Sequence, residues 1–135
     1  MEKNSNATSR ILNQMNEVDA DMFSGVWTAE IAHDGIVDNY TLTFGESHKI
    51  EVEVTSVNKK GVESTASGKG RYNWNDNEKI LSVTVNTMSG NIKHIKNVVW
   101  KTMVNPSDDE ASFNCVVPIT YNNKSQNMRV TFYQD

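Results

Sequence analysis

From about residue 24 onward, apolar and polar residues alternate with a period of two, and turn residues break the alternation at regular intervals. This pattern belongs to short antiparallel strands with one face buried and the other wet. Eight runs are read: Ser24–Ile31, Tyr40–Phe44, Lys49–Thr55, Val62–Trp74, Lys79–Met88, Ile92–Val104, Ala111–Ile119 and Met128–Tyr133. In the fourth, the even positions are Val62, Ser64, Ala66, Gly68, Gly70, Tyr72 and Trp74, so its inward face grows from small to very large. The sixth is the least regular. Ile95 and Val99 fall on the opposite parity from Val98 and Trp100, which places a bulge near Lys96 and Asn97. Pro118 cannot donate a ladder hydrogen bond, so it marks a bulge or the effective end of the seventh strand.

The connections are mostly hairpin-sized. An "NKKG" turn after the third strand pairs Ile50 with Gly70 and Val52 with Gly68, which sets Glu51 opposite Lys69 on the outer face. The longest early connection, "AHDGIVDN", carries Ile36 and Val37, apolar residues that a solvated loop does not need, and is read as a lid. Residues 1–22 form a polar start, disordered through about Asn6, and a short helix over "RILNQMNEV" capped by Thr8 or Ser9. Residues 23–135 form one β-domain.

A chain of 135 residues is long enough to bury a core without metal or disulfide help. Cys115 is the sole cysteine, which rules out an intrachain disulfide and a cysteine-rich metal site. A net charge of -4 argues against a nucleic-acid surface. No apolar run is long enough to span a membrane as a helix, and "MEKNSNATSR" lacks the apolar core of a secretory signal. Two compartments stay open: the cytoplasm, or an exported or periplasmic location with a signal removed ahead of Met1.

Eight consecutive antiparallel strands suggest an all-β, eight-stranded up-and-down barrel with a short N-terminal helix, because closure removes exposed edges. A two-sheet sandwich ranks second, since it needs longer crossovers. The short helix, the G-V-W of Gly25 to Trp27 opening the first strand, the strand count and "GKGRYNW" midway resemble the lipocalin or calycin superfamily, especially small bacterial lipocalin-like domains. The likeness runs from about Phe23 to the C-terminus. The family's Thr-Asp-Tyr element and its disulfide are missing. Its late arginine, which packs over the tryptophan, corresponds by position to Arg129, whose parity here points outward. The resemblance implies a barrel that holds a small apolar or amphipathic molecule.

Following the strands up and down sorts the interior into two ends. A structural floor of Gly25, Trp27, Phe44, Trp74, Trp100, Phe113 and Phe132 gathers below. Smaller residues point to the upper end, where a ligand is expected to touch Tyr40, Leu42, Val54, Ala66, Val85, His94 and Met128 beneath Ile36 and Val37. Ile119 points the same way. A filled barrel, with Gly68 and Gly70 present only to let a strand bend, is the competing reading. His94 is read as a hydrogen-bonded structural histidine before a ligand-reading or metal-binding one. His33 and His48 fall near opposite ends, so no metal site is expected, and no cofactor. Asp34, Asp38 and Glu46 are read as solvent-facing acids in turns. No catalytic spacing is present, so the chain is not read as an enzyme. Two function classes follow: a binder of a small hydrophobic molecule, and a filled barrel acting through its surface or loops as a cell-envelope interaction or inhibitor protein, whose partner the sequence does not name.

Overall fold

The computed structural model describes residues 23–106 and 111–135; the expected N-terminal helix lies outside the described residues. Among the described residues ten strands form one antiparallel sheet: β1 Gly25–His33, β2 Ile36–Phe44, β3 Lys49–Val57, β4 Glu63–Asn75, β5 Ile80–Val85, β6 Ser89–Gly90, β7 Val98–Met103, β8 Asn105–Pro106, β9 Ser112–Tyr121 and β10 Lys124–Gln134. Their order is β7-β5-β4-β3-β2-β1-β10-β9-β8, with β6 on β4. Eight long strands thus run up and down in a nearly closed barrel. Closure comes from one stretch of chain. β7 pairs with β5, and two residues past its end β8 pairs with β9 through Asn105 opposite Asn114 and Pro106 opposite Phe113. Higher up the β7–β9 seam, the Val116 N–H donates to Thr102 Oγ1 at 2.9 Å.

The lower half is held by rings. Phe23, fully buried, lies 5.3 Å from Phe44, 5.1 Å from Trp74 and 5.3 Å from Phe113 between ring centroids. Phe113 stacks on Phe132, which meets Trp100. Gly25 explains how the chain enters. Its φ of +107 is a conformation that side-chain-bearing residues rarely adopt, and the bend lets Trp27 Nε1 donate to the Phe23 carbonyl at 2.9 Å. Phe23, which the alternation left out of the floor, is therefore at its centre. Arg129 is exposed opposite Val116 on the outer face and does not cover the tryptophan. Trp74 Nε1 is buried with no hydrogen-bond partner among the described residues.

The third and fourth strands pair as expected: Ile50 with Gly70, Val52 with Gly68, and Glu51 with Lys69. Four expectations need correction. "AHDGIVDN" is not a lid but a two-residue hairpin: Asp34 (φ 51) and Gly35 (φ 76) both take positive φ, the turn that matches strand twist, and His33 pairs with Ile36. Ile36 is buried inside β2 and Val37 is half-buried opposite Ala32. A second tight turn at Asn122 and Asn123 starts the last strand at Lys124 instead of Met128. Pro118 sits inside β9, paired with Asn127, and does not end it. Val116, two residues earlier, aims its N–H at the seam, so the missing N–H of Pro118 falls on the same unladdered edge.

The fourth correction concerns residues 86–97. Ile92 to Asn97 are not strand. β5 ends at Val85, one extra residue bulges before Ser89 pairs with Ser67, and the chain then folds over the upper end. Met88, Ile92 and Ile95 are buried there, while Asn91 Oδ1 and N–H bracket Thr65 of β4. The glycines of β4 make room for the end of β5, at Gly70, and for this crossing, at Gly68. A Cβ on Gly70 would lie 1.9 Å from the Thr84 carbonyl oxygen, and one on Gly68 would lie 2.8 Å from Met88 Sδ.

Candidate functional site

The alternation of β2 runs further back than Tyr40. Ile36, Asp38, Tyr40, Leu42 and Phe44 all point inward, so a carboxylate enters the upper core. Asp38 is wholly buried and is not a solvent-facing turn acid. On β1 the same parity turns His33 inward, two residues beyond Ile31, which pairs with Asp38. His94, held on the 86–97 segment, completes the group.

Asp38 Oδ2 lies 2.6 Å from His33 Nε2 and 3.0 Å from His94 Nε2, and His94 Nε2 is 3.2 Å from Oδ1. The other nitrogen of His33 faces Asp34 Oδ2 at 3.0 Å. With carboxylate oxygens facing both ring nitrogens, His33 is placed to donate from each, an arrangement that favours its charged form. Burial opposes that charge, but the hydrogen bonds that His33 gives to Asp34 and Asp38 and their negative charge outweigh it and raise the pKa of His33. Burial likewise opposes ionisation of Asp38, but hydrogen bonds from His94, Ser56 and His33 prevail and hold its carboxyl below the usual range. Tyr121 packs its ring on both imidazoles, with centroids 5.8 Å from His33 and 5.5 Å from His94.

Beside this group the seam between β7 and β9 opens into a cleft of about 770 Å³. Tyr40 and Trp100, 5.7 Å apart between centroids, and Ile119 back it as buried residues, and Ile95, Pro118 and the exposed Val99 complete its apolar lining. His94, Tyr121, Lys93, Lys96, Asn97 and the Asn122–Asn123 turn surround it with polar groups. Burial, and then the charge of Asp38, push the Tyr40 hydroxyl well up, so it stays a neutral phenol. A second cleft of about 800 Å³ follows the outer side of the same seam past Thr102, Val116 and Arg129, and Pro118 borders both.

Of the residues expected to meet a ligand, Tyr40 and His94 line the first cleft. Leu42, Val54, Ala66 and Val85 are buried in the core, and Met128 is half-buried against it. The residues that sequence reading did not assign to the upper site are His33, Asp38, Trp100 and Tyr121. A signal for Asp38 existed: extending the period of Tyr40 and Leu42 back to the Asp-Gly turn turns it inward.

No family model and no curated protein matches this chain. A solved structure that resembles it is described as a siderocalin, Ex-FABP, that functions through dual ligand specificities. The superposition covers 84% of this chain and 71% of that one, with 10% sequence identity and a TM-score of 0.39. The barrel assignment above rests on strand order and register alone.

As for metal-binding capacity, one donor atom each from His33, Asp38 and His94 lies within 4.8 Å of the others. His48 is remote from them, bonded through Nδ1 to the Tyr72 carbonyl at 3.2 Å.

Proposed function

We propose that this chain is a non-enzymatic, lipocalin-like binding protein that takes a small amphipathic molecule in the cleft beside Tyr40 and Trp100. The observation that carries this reading is the cleft itself. Its volume of about 770 Å³ falls within the ~300–1,000 Å³ typical of small-molecule sites, and it joins a few aromatic and aliphatic surfaces to polar groups that would orient a ligand. Lys93 and Lys96 at its border favour a ligand with an acidic or strongly polar end. The ligand would touch Tyr40, Trp100, Ile119 and His94. The deeper residues Leu42, Val54, Ala66 and Val85 would shape the wall behind it, with Met88, Ile92 and Ile95 as the cover that Ile36 and Val37 do not provide.

Mass spectrometry of organic extracts from the purified protein tests this. A co-purifying small molecule that an Ile119→Trp variant no longer retains is the expected result. A second reading, a partner-binding barrel, draws on the apolar residues exposed along the seam: Val99 and Met103 on β7 and Val116 on β9. If extracts are empty and probes do not compete for the cleft, that surface reading replaces the first.

A further inference from the structure

The upper polar group has more convergence than a buried carboxylate needs. Among the described residues Asp38 has no lysine or arginine as its ion-pair partner. It has two imidazoles, both presenting Nε2 to the same oxygen. Tetrahedral Zn²⁺, bound at about 2.0–2.2 Å by histidine nitrogen and carboxylate oxygen, sets its donor atoms about 3.3 Å apart. Here two of the separations are 2.6 and 3.0 Å, and the third is no more than 4.8 Å. The three donors already stand close to the spacing such an ion requires.

The surroundings fit as well. Metal-binding histidines commonly hand their other ring N–H to a carboxylate, which fixes the ring's orientation. His33 does this with Asp34, at 3.0 Å, and Gln126 Nε2 approaches the same Asp34 oxygen at 3.5 Å. Asp38 also takes a hydrogen bond from Ser56. Access is one-sided: the side chains of His33 and Asp38 are 1% and 0% exposed, while His94, at 13%, borders the cleft. Two imidazoles with one carboxylate suit a divalent transition ion; Ca²⁺ and Mg²⁺ prefer all-oxygen shells.

We propose that His33, Asp38 and His94 bind one divalent transition-metal ion, Zn²⁺ by ligand type, which takes the place of the proton on His33 Nε2 and releases it to solvent, with the ion's remaining position turned toward the cleft. The proposal stands on the donor geometry and does not depend on the ligand reading. A cleft that binds no organic molecule leaves it intact, and failed metal uptake leaves the cleft reading intact.

The test is calorimetric titration of the metal-stripped full-length chain with Zn²⁺, with Co²⁺ absorption as a report of geometry. The chain has three histidines and one cysteine, and Cys115 is buried, so His48→Gln is the control for chance binding. One ion per chain and tetrahedral Co²⁺ bands are expected. His94→Gln should weaken binding by more than about 100-fold, beyond the ~10–100-fold expected from losing the supporting carboxylate in Asp34→Asn. His48→Gln should change nothing. If His94→Gln does not fold, Asp34→Asn, at an exposed turn, decides: weakened uptake supports the site and unchanged uptake overturns it. No stoichiometric uptake by the native chain, full affinity in a folded His94→Gln variant, or loss of uptake in His48→Gln also overturns it.

Discussion

His33 and Asp38 face each other at 2.6 Å across the first hairpin, both buried, joining an imidazole ring to a carboxylate inside the upper barrel. Their placement follows from the Asp34–Gly35 turn. Because the loop is two residues long, His33 and Asp38 keep the parity of Ile31 and Tyr40 and point inward.

Breaking that pair should be costly. Asp38→Ala leaves His33 and His94 without their shared acceptor, and removing one partner of a buried ion pair costs about 3–5 kcal/mol. Denaturant unfolding of the variant measures it. A loss below about 1 kcal/mol would mean that the pair is not held together in solution.

The same pair sets a pH dependence in the metal-free protein. His33 has its pKa raised from 6.5, so its contribution is complete below pH 6.5 and disappears as pH rises through the raised value. Asp38 has its pKa lowered from 3.8, so its contribution is complete above pH 3.8 and disappears as pH falls through the lowered value. The pair therefore stabilises most between those two pH values. Histidine NMR titration, assigned with a His33→Gln variant, should place the His33 midpoint above 6.5; a midpoint below it contradicts the doubly bonded imidazolium.

Gly70→Ala probes the close approach of the end of β5 to β4. The added Cβ would stand 1.9 Å from a backbone oxygen, so the chain from Thr84 onward must shift, at about 1–3 kcal/mol or more. Gly45→Ala, with φ outside the left-handed region and its nearest neighbour at 3.8 Å, is the matched control and should melt close to the native protein. Equal melting temperatures for the two variants would show that this close approach is absent.

At the lower end, Trp27→Ala should lose about 3–5 kcal/mol, the range for deleting a buried large aromatic. Trp27→Phe keeps a ring but leaves the Phe23 carbonyl without its indole donor, and should lose less. Native-like melting of Trp27→Ala would remove the aromatic floor from the fold's support.

Strand pairing was legible where alternation was clean. The register of β3 with β4 follows from Val52 and Val54 alternating with glutamates and from the turn at Gly61. What escaped reading was local. Ile92 and Ile95, three apart, carry the spacing of a turn folded over the core, yet inside a run of apolar residues they mimic a bulged strand. Asp38 resembled a loop acid because hydrophobic alternation offers no reason to continue through a charge. Its burial is made possible by His33 and His94, five and 56 residues away in sequence. Pro118 looked like a strand end because whether an edge is paired depends on closure, which no local pattern reveals.

The most direct test of the cleft reading is a fluorescence titration with 1-anilinonaphthalene-8-sulfonate, an aromatic anion matched to the Tyr40–Trp100 surface and the bordering lysines. It is run on the native chain and on Ile119→Trp, after both are shown to melt cooperatively. Saturable binding of one probe per native chain, weakened at least about tenfold in the filled variant, is the predicted result; a tenfold loss is about 1.4 kcal/mol. No saturable binding, or equal binding by both proteins, would contradict a ligand site at this cleft.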